Sequence, residues 1–258
     1  MSALGRGVAV LGVSLVFALP ASAQVANNDF TTSVHILVGQ TPMRTTLANG
    51  ENAFYDAPVV ATRSYCAEAT ASETESQQTQ ADLVIFHNNH STLTTTEGRN
   101  LEPKGATASR MCFIAATSET IFIRLTNNAA GSAEYSVRFV ETTLWSNWFF
   151  TGGDYSSYSL IRNTTNAAIT IELRWFSEAG VEAQQSGQVT QTVPANGVVF
   201  IDARAAMGCR LPMVCTVVTG SVQMAHPASP QALVGSQTTL SSSTGLSFDT
   251  IFFQRRPW

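Results

Sequence analysis

Charge is what this 258-residue sequence has least of: Asp, Glu, Lys and Arg together make up 12% of it, and Lys104 is its single lysine. The net charge is −4 and no basic run occurs. Binding to a phosphate backbone depends on clustered Lys and Arg, so no nucleic-acid partner is expected. Long apolar runs are missing after the N-terminus, so no membrane-spanning helix is expected in the rest of the chain. Helical periodicity is nearly absent too. So are the local patterns of hydrolytic centres: after residue 23 there is no Gly-x-Ser-x-Gly turn and no His-Glu-x-x-His. No cysteine stands in a Cys-x-x-Cys or Cys-His spacing, which removes the usual zinc sites. No cofactor and no metal are expected.

What the N-terminus does contain is an export signal. Arg6 precedes the apolar run "VAVLGVSLVFAL", and Pro20 is followed by Ala21-Ser22-Ala23, a small-residue cleavage pattern. Residues 1–23 read as a signal peptide, leaving Gln24 as the new N-terminus and a periplasmic or extracellular location. Cysteine does not follow the cleavage pattern and Arg6 stands alone, so neither a lipid anchor nor a twin-arginine route is expected. In an oxidising compartment the four cysteines, Cys66, Cys112, Cys209 and Cys215, should form two disulfides. Three pairings are possible. Cys66–Cys112 with Cys209–Cys215 is favoured, because each pair then lies within one half of the chain.

Alternation of apolar and polar residues recurs along the whole sequence. In "AITIELRWF" (168–176), Ile169, Ile171, Leu173 and Trp175 share one side and Thr170, Glu172 and Arg174 the other. That is a strand with one buried and one wet face. "TIFIRLTN" and "EYSVRFVE" behave alike, and turn signals such as Asn49-Gly50, Gly152-Gly153-Asp154, Ala179-Gly180 and Asn196-Gly197 separate the segments. The expected fold is all-β: two packed antiparallel β-sandwich domains, 24–142 and 143–258, after the signal. The polar stretches 67–81 and 88–109 are expected to be long loops outside the core.

The densest aromatic stretch is "ETTLWSNWFFTGGDYSSYSL" (141–160). Extended, it faces Leu144, Trp148 and Phe150 one way and Trp145 and Phe149 the other, which reads as a strand covered on both faces at the domain junction. The functional alternative is a platform for sugar rings made by Trp145, Trp148, Tyr155 and Tyr158. Other chemistry is sparse. His87 and His90 are the most metal-like pair, but they lack a helix and a third ligand. Glu68, Glu73, Glu75 and Asp82 lack calcium-loop spacing and read as a solvated acidic loop. His35 and His226 lie in strands and read as structural residues. The carboxylates Glu172, Asp202 and Asp249 are not brought together by any local pattern. The C-terminal "FDTIFFQRRPW" ends on Trp258, but Arg255, Arg256 and Pro257 break the alternation an outer-membrane strand needs.

The order "RSYCAEA", "ADLVIF", "RMCFIA", "TIFIRLTNNAAGSAEYSVRFVE" over 31–142 resembles the bacterial pre-peptidase C-terminal type of β-sandwich. "SLIRNTTNAAITIELRWFSEAG" followed by "VPANGVVFIDA" over 145–258 resembles immunoglobulin- or fibronectin-like accessory modules of secreted bacterial proteins. These resemblances imply jelly-roll-like and immunoglobulin-like sandwiches that serve as spacers, adhesion surfaces or targeting modules. The expected role is therefore non-catalytic: an exported interaction or structural protein whose partner is a protein or a polysaccharide at the cell surface. A carbohydrate-binding protein is the first alternative and a secreted hydrolase the remote one.

Overall fold

The computed structural model describes residues 28–71, 81–93, 98–99, 108–183, 189–209 and 219–254. The expected signal peptide, Glu73, Glu75, Cys215 and the terminal Arg255 to Trp258 lie outside the described residues. Strands β1 (Val34–His35), β2 (Met43–Leu47), β3 (Asn52–Val59), β4 (Ser64–Ala71), β5 (Ala81–Phe86), β6 (Gly98–Arg99), β7 (Ala108–Ile114), β8 (Glu119–Asn127) and β9 (Ala133–Glu141) build the N-terminal half. The C-terminal half contains β10 (Leu144–Phe150), β11 (Tyr155–Asn163), β12 (Ile169–Ser177), β13 (Val189–Val193) and β14 (Val198–Asp202). A short helix α1 (Ala203–Ala206) follows, and then β15 (Thr219–Ala225), β16 (Leu233–Ser241), β17 (Ser247–Ile251) and β18 (Phe253–Gln254).

Four sheets result: A (β1-β3-β8-β5), B (β2-β9-β4-β7-β6), C (β13-β12-β15-β10-β18) and D (β14-β11-β16-β17). Pairing is antiparallel except between β1 and β3. The all-β class expected from alternation is what forms. Sheets A and B share one core, with Ile121, Ile123 and Leu125 of β8 facing Tyr135, Val137 and Phe139 of β9. Sheets C and D share a second, centred on Ile169, Ile171, Leu173 and Trp175 of β12 with Ile161, Val222 and Met224. β17 belongs to sheet D, but two residues later β18 pairs with β10 in sheet C, so the chain closes one side of this sandwich.

Two expectations need correction. The stretch 67–81 is not all loop: Ala67, Ala69 and Ala71 extend β4 and, with Ala81 at the start of β5, are buried in the first core. Alanine is small enough to let the two sheets approach, which a reading weighted toward large apolar residues overlooks. In 88–109 likewise, Leu93 is core, and Ser109 is buried in β7.

Both halves use a buried asparagine to lock the arch that carries the chain from one sheet to the other. Asn127, ending β8, donates Nδ2 to the Leu47 and Gly131 carbonyls and accepts from Ala129 N and Tyr135 Oη through Oδ1. Asn163, ending β11, donates to the Ala167, Val193 and Pro194 carbonyls and accepts from Thr165 N and Oγ1. In each case the amide bonds a carbonyl four residues on and an N–H two residues on. Each asparagine thereby ties several backbone groups of its arch together through one side chain.

Disulfide Cys66–Cys112 joins directly opposed residues of β4 and β7. Closing a loop of that span stabilises the fold by about 3 to 4 kcal/mol on a chain-entropy argument. Cys209 is disulfide-bonded too; Cys215, its expected partner, lies outside the described residues.

Candidate functional site

The strand "LWSNWFF" is β10, and its register breaks between Ser146 and Phe149 opposite Gly220. Leu144 and Ser146 point inward, and the bulge then turns Phe149 inward in place of Trp148. The expected grouping of Leu144 with Trp148 and Phe150 is therefore wrong: a bulge shifts the alternation by one residue. The backbone of Gly220 makes room, since a Cβ there would lie 1.8 Å from the Phe176 carbonyl oxygen.

The rings of the candidate platform are all half-buried and fall into three contact groups. Trp145 packs on Phe176 at 6.1 Å with the Arg63 guanidinium 5.8 Å above it, which puts it against the N-terminal half. Trp148 stacks with Phe150 and meets Phe248 edge-on, and Tyr155 meets Phe150 edge-on. Tyr158 stacks on Phe200 at 4.8 Å. Under the turn between Phe150 and Tyr155, Asp154 accepts hydrogen bonds from the Ser241 and Ser243 hydroxyls, which hold its carboxyl at about 2.

The junction is a polar seam. Thr142 and Thr143 are buried, Ser64 N donates to Thr143 Oγ1 at 2.9 Å, and Gln223 Nε2 donates to the Thr62 carbonyl at 2.6 Å. Gln254 Nε2 donates to the Glu141 carbonyl, and the Cys66 sulfur lies 3.4 Å from the Ala228 carbonyl oxygen. His226 is fully buried beside the backbone of Thr142 and Ala228, and neither ring nitrogen makes a hydrogen bond of ordinary geometry. Burial drives its pKa down to about 4, against the smaller opposing pull of those backbone groups. Next to the seam is a cleft of about 560 Å³ between the halves. Its floor is Glu68, one residue on each of three neighbouring strands: β4 holds the carboxylate, β7 and β9 the Arg110 and Arg138 that bond it. Glu68 is thus a buried ion-pair residue in a strand and not part of a solvated acidic loop.

Other sequence candidates are kept apart. His87 bonds Glu119 at 2.8 Å, whereas His90 stacks on Phe30 at 4.0 Å. His35 pairs with Asp56. Among the described residues no group of three or more His, Cys, Asp or Glu is placed to hold a metal. Asp202 caps α1 by accepting from the Arg204 and Ala205 N–H groups. It shares a cross-strand row with Asp249, but Tyr158 and Thr238 stand between them, and Glu172 is in another sheet.

The feature that sequence reading missed is the polarity of sheet D. Its middle strands bury Ser157, Ser159, Gln237 and Thr239, which bond one another: Ser157 Oγ to Thr239 Oγ1 at 2.6 Å, and Ser159 Oγ to Gln237 Oε1 at 2.6 Å. The opposite, outward face carries Leu160, Val198, Phe200, Val234, Leu240 and Ile251, all exposed, with Phe200 at 64% and Ile251 at 72%. Register lines them up in rows: Phe200, Leu160, Ser236 and Ile251 across all four strands, with Val198, Arg162 and Val234 on one side and Asp202, Tyr158, Thr238 and Asp249 on the other. The signal was present in "YSLIRN" and "LVGSQTTL", where small polar residues alternate with apolar ones. Alternation alone does not say which set faces inward.

Comparison with known proteins gives no further guide: no protein-family model matches the chain, and a search of curated proteins finds no match.

Proposed function

We propose that this chain is an exported, non-catalytic interaction or structural protein of the bacterial envelope or extracellular space. It is built of two sandwich domains, 24–142 and 143–258, and engages a protein partner through the outer face of sheet D. The observation that supports this reading is the apolar content of that sheet's outer face. A single exposed apolar side chain is ordinary, but six on one sheet face, interspersed with Ser236, Arg162, Tyr158 and Thr238, make a mixed apolar and polar surface of the kind proteins use for association. Asp202 and Asp249 at its edge strands add charge to it.

The test is a pair of surface substitutions, Phe200→Ser and Ile251→Ser, with cross-linking of the mature protein in envelope extract. Both side chains are exposed, so circular dichroism and thermal unfolding should be unchanged while cross-linked products are lost. Products that survive both substitutions would sink the reading. Retention on insoluble polysaccharide that depends on Trp148 and Tyr155, and not on Phe200, would instead move the assignment to carbohydrate binding. Export has its own check: sequencing the N-terminus of protein recovered from periplasm or medium should give Gln24 first.

A further inference from the structure

Resting on the reading of sheet D as an interaction face, we infer that its occupant is a second copy of this chain, docked about a two-fold axis that lies in the interface, crosses the strands at right angles and passes over the Leu160 row. Charge placement selects this partner and this axis. Arg162 lies one row to one side of Leu160 on the outward face of β11, and no ion pair engages it among the described residues. Asp202 and Asp249 lie one row to the other side, on β14 and β17. Rotation about the proposed axis reverses strand direction but keeps each strand over its own copy. Each Arg162 then lies over Tyr158 of the second copy, with that copy's Asp202 one strand to the side, a sideways offset of about 4.8 Å within reach of the long Arg side chain across the gap between the sheets. There it gains both a ring face and a carboxylate.

The competing axis, parallel to the strands, reverses strand order. It sets Asp202 over Asp249 of the second copy at both edges, and such like-charge juxtaposition is costly. With the perpendicular axis, the central row lies on the dyad. Phe200 meets Phe200, Leu160 meets Leu160 and Ile251 meets Ile251, giving an apolar centre with charged neighbours. Packed sheets lie within about 30° of each other, so this correspondence holds best at the central rows. The face has a modest area. Two strands of nine residues and two of five, at about 3.4 Å per residue and about 4.8 Å per strand, give roughly 460 Å² before side-chain relief. A stable interface buries about 800 Å² per partner, so this face fits a concentration-dependent monomer–dimer equilibrium.

Sedimentation velocity of the mature protein over a concentration series, with carbene footprinting of the same samples, tests the inference. The expected result is a monomer–dimer equilibrium in which Phe200 and Ile251 lose labelling as dimer forms. Phe200→Ser or Arg162→Asp should raise the dissociation constant at least about tenfold without altering circular dichroism. The axis is read separately from Ile251→Cys, since no free cysteine exists among the described residues. A short thiol cross-linker should join Ile251→Cys to itself across the dyad, because the competing axis would set it over Phe200 of the second copy, three strands away, whereas Thr170→Cys, on the outer side of sheet C, should stay uncoupled. A monomer at all concentrations with Phe200 and Ile251 fully labelled overturns the second copy but leaves the face open to another protein. A monomer in which both residues are already protected overturns this inference and the interaction reading together. A dimer whose protection maps elsewhere, or loss of the face to lipid vesicles, also overturns it.

Discussion

At the scale of single residues, His226 is the sharpest case. Its ring is fully buried and its nitrogens lack good hydrogen bonds, so charging it inside the protein is unfavourable. The folded pKa of about 4 lies below the ordinary 6.5. Below pH 6.5 the unfolded chain therefore binds a proton that the folded chain refuses. Stability is full above about pH 6.5, falls as pH drops toward 4, and levels off below that. The shift corresponds to about 3 kcal/mol across the window. His226→Leu removes the titration and leaves no hydrogen bond unmade. Urea unfolding at pH 7 and pH 4.5 should show the variant losing about 2.4 kcal/mol less than wild type between the two. Equal losses would mean that His226 is not held neutral in the fold. The sequence showed His226 as a strand residue before Pro227. Its low pKa comes from burial at the junction of the two halves, which no local pattern encodes.

At the scale of elements, legibility divided along the same line. Periodicity placed β8, β9 and β12 to within a residue or two, because their large side chains alternate without interruption. It failed at β10, where a bulge moved Trp148 outward and Phe149 inward, and in β4, where alanines do the packing. Both failures trace to partners distant in sequence. Gly220 lies 71 residues after Phe149, and its φ of 152° with Phe176 O at 1.8 Å from a built Cβ admits no other side chain without backbone movement. Gly220→Ala should cost about 3 kcal/mol, read as a lowered thermal midpoint, and a neutral result would mean that the bulge relaxes freely. No local pattern singles out the arch asparagines, whose partners are likewise set by the fold. Asn163→Ala removes the amide that bonds the Ala167, Val193 and Pro194 carbonyls and accepts from Thr165, and should cost about 2 to 4 kcal/mol. Asn163→Asp keeps the shape but removes the NH2 group behind all three carbonyl bonds and buries a charge, so it should be worse than alanine in the same denaturation experiment.

At the scale of the whole molecule, each half has its own core, and only Thr142 and Thr143 separate β9 from β10. A connection that short, buried and hydrogen-bonded to Ser64 gives neither half freedom to swing. Coupling then depends on a few groups: Gln223 on the Thr62 carbonyl, Gln254 on the Glu141 carbonyl, and Arg63 over Trp145. The expected behaviour of the wild type is one cooperative thermal transition, with calorimetric and van't Hoff enthalpies equal. The Arg63→Ala, Gln223→Ala double variant removes a cation–π contact and a partly buried amide hydrogen bond across the junction, about 1 to 3 kcal/mol of coupling in all. None of these groups belongs to either core. The loss should therefore appear as a split into two transitions, with Trp145 emission shifting to the red in the first. If the variant melts in a single, merely lower transition, the halves share their stability through the Gln254–Glu141 bond and the buried Thr142–Thr143 segment, and the next substitution belongs at Gln254.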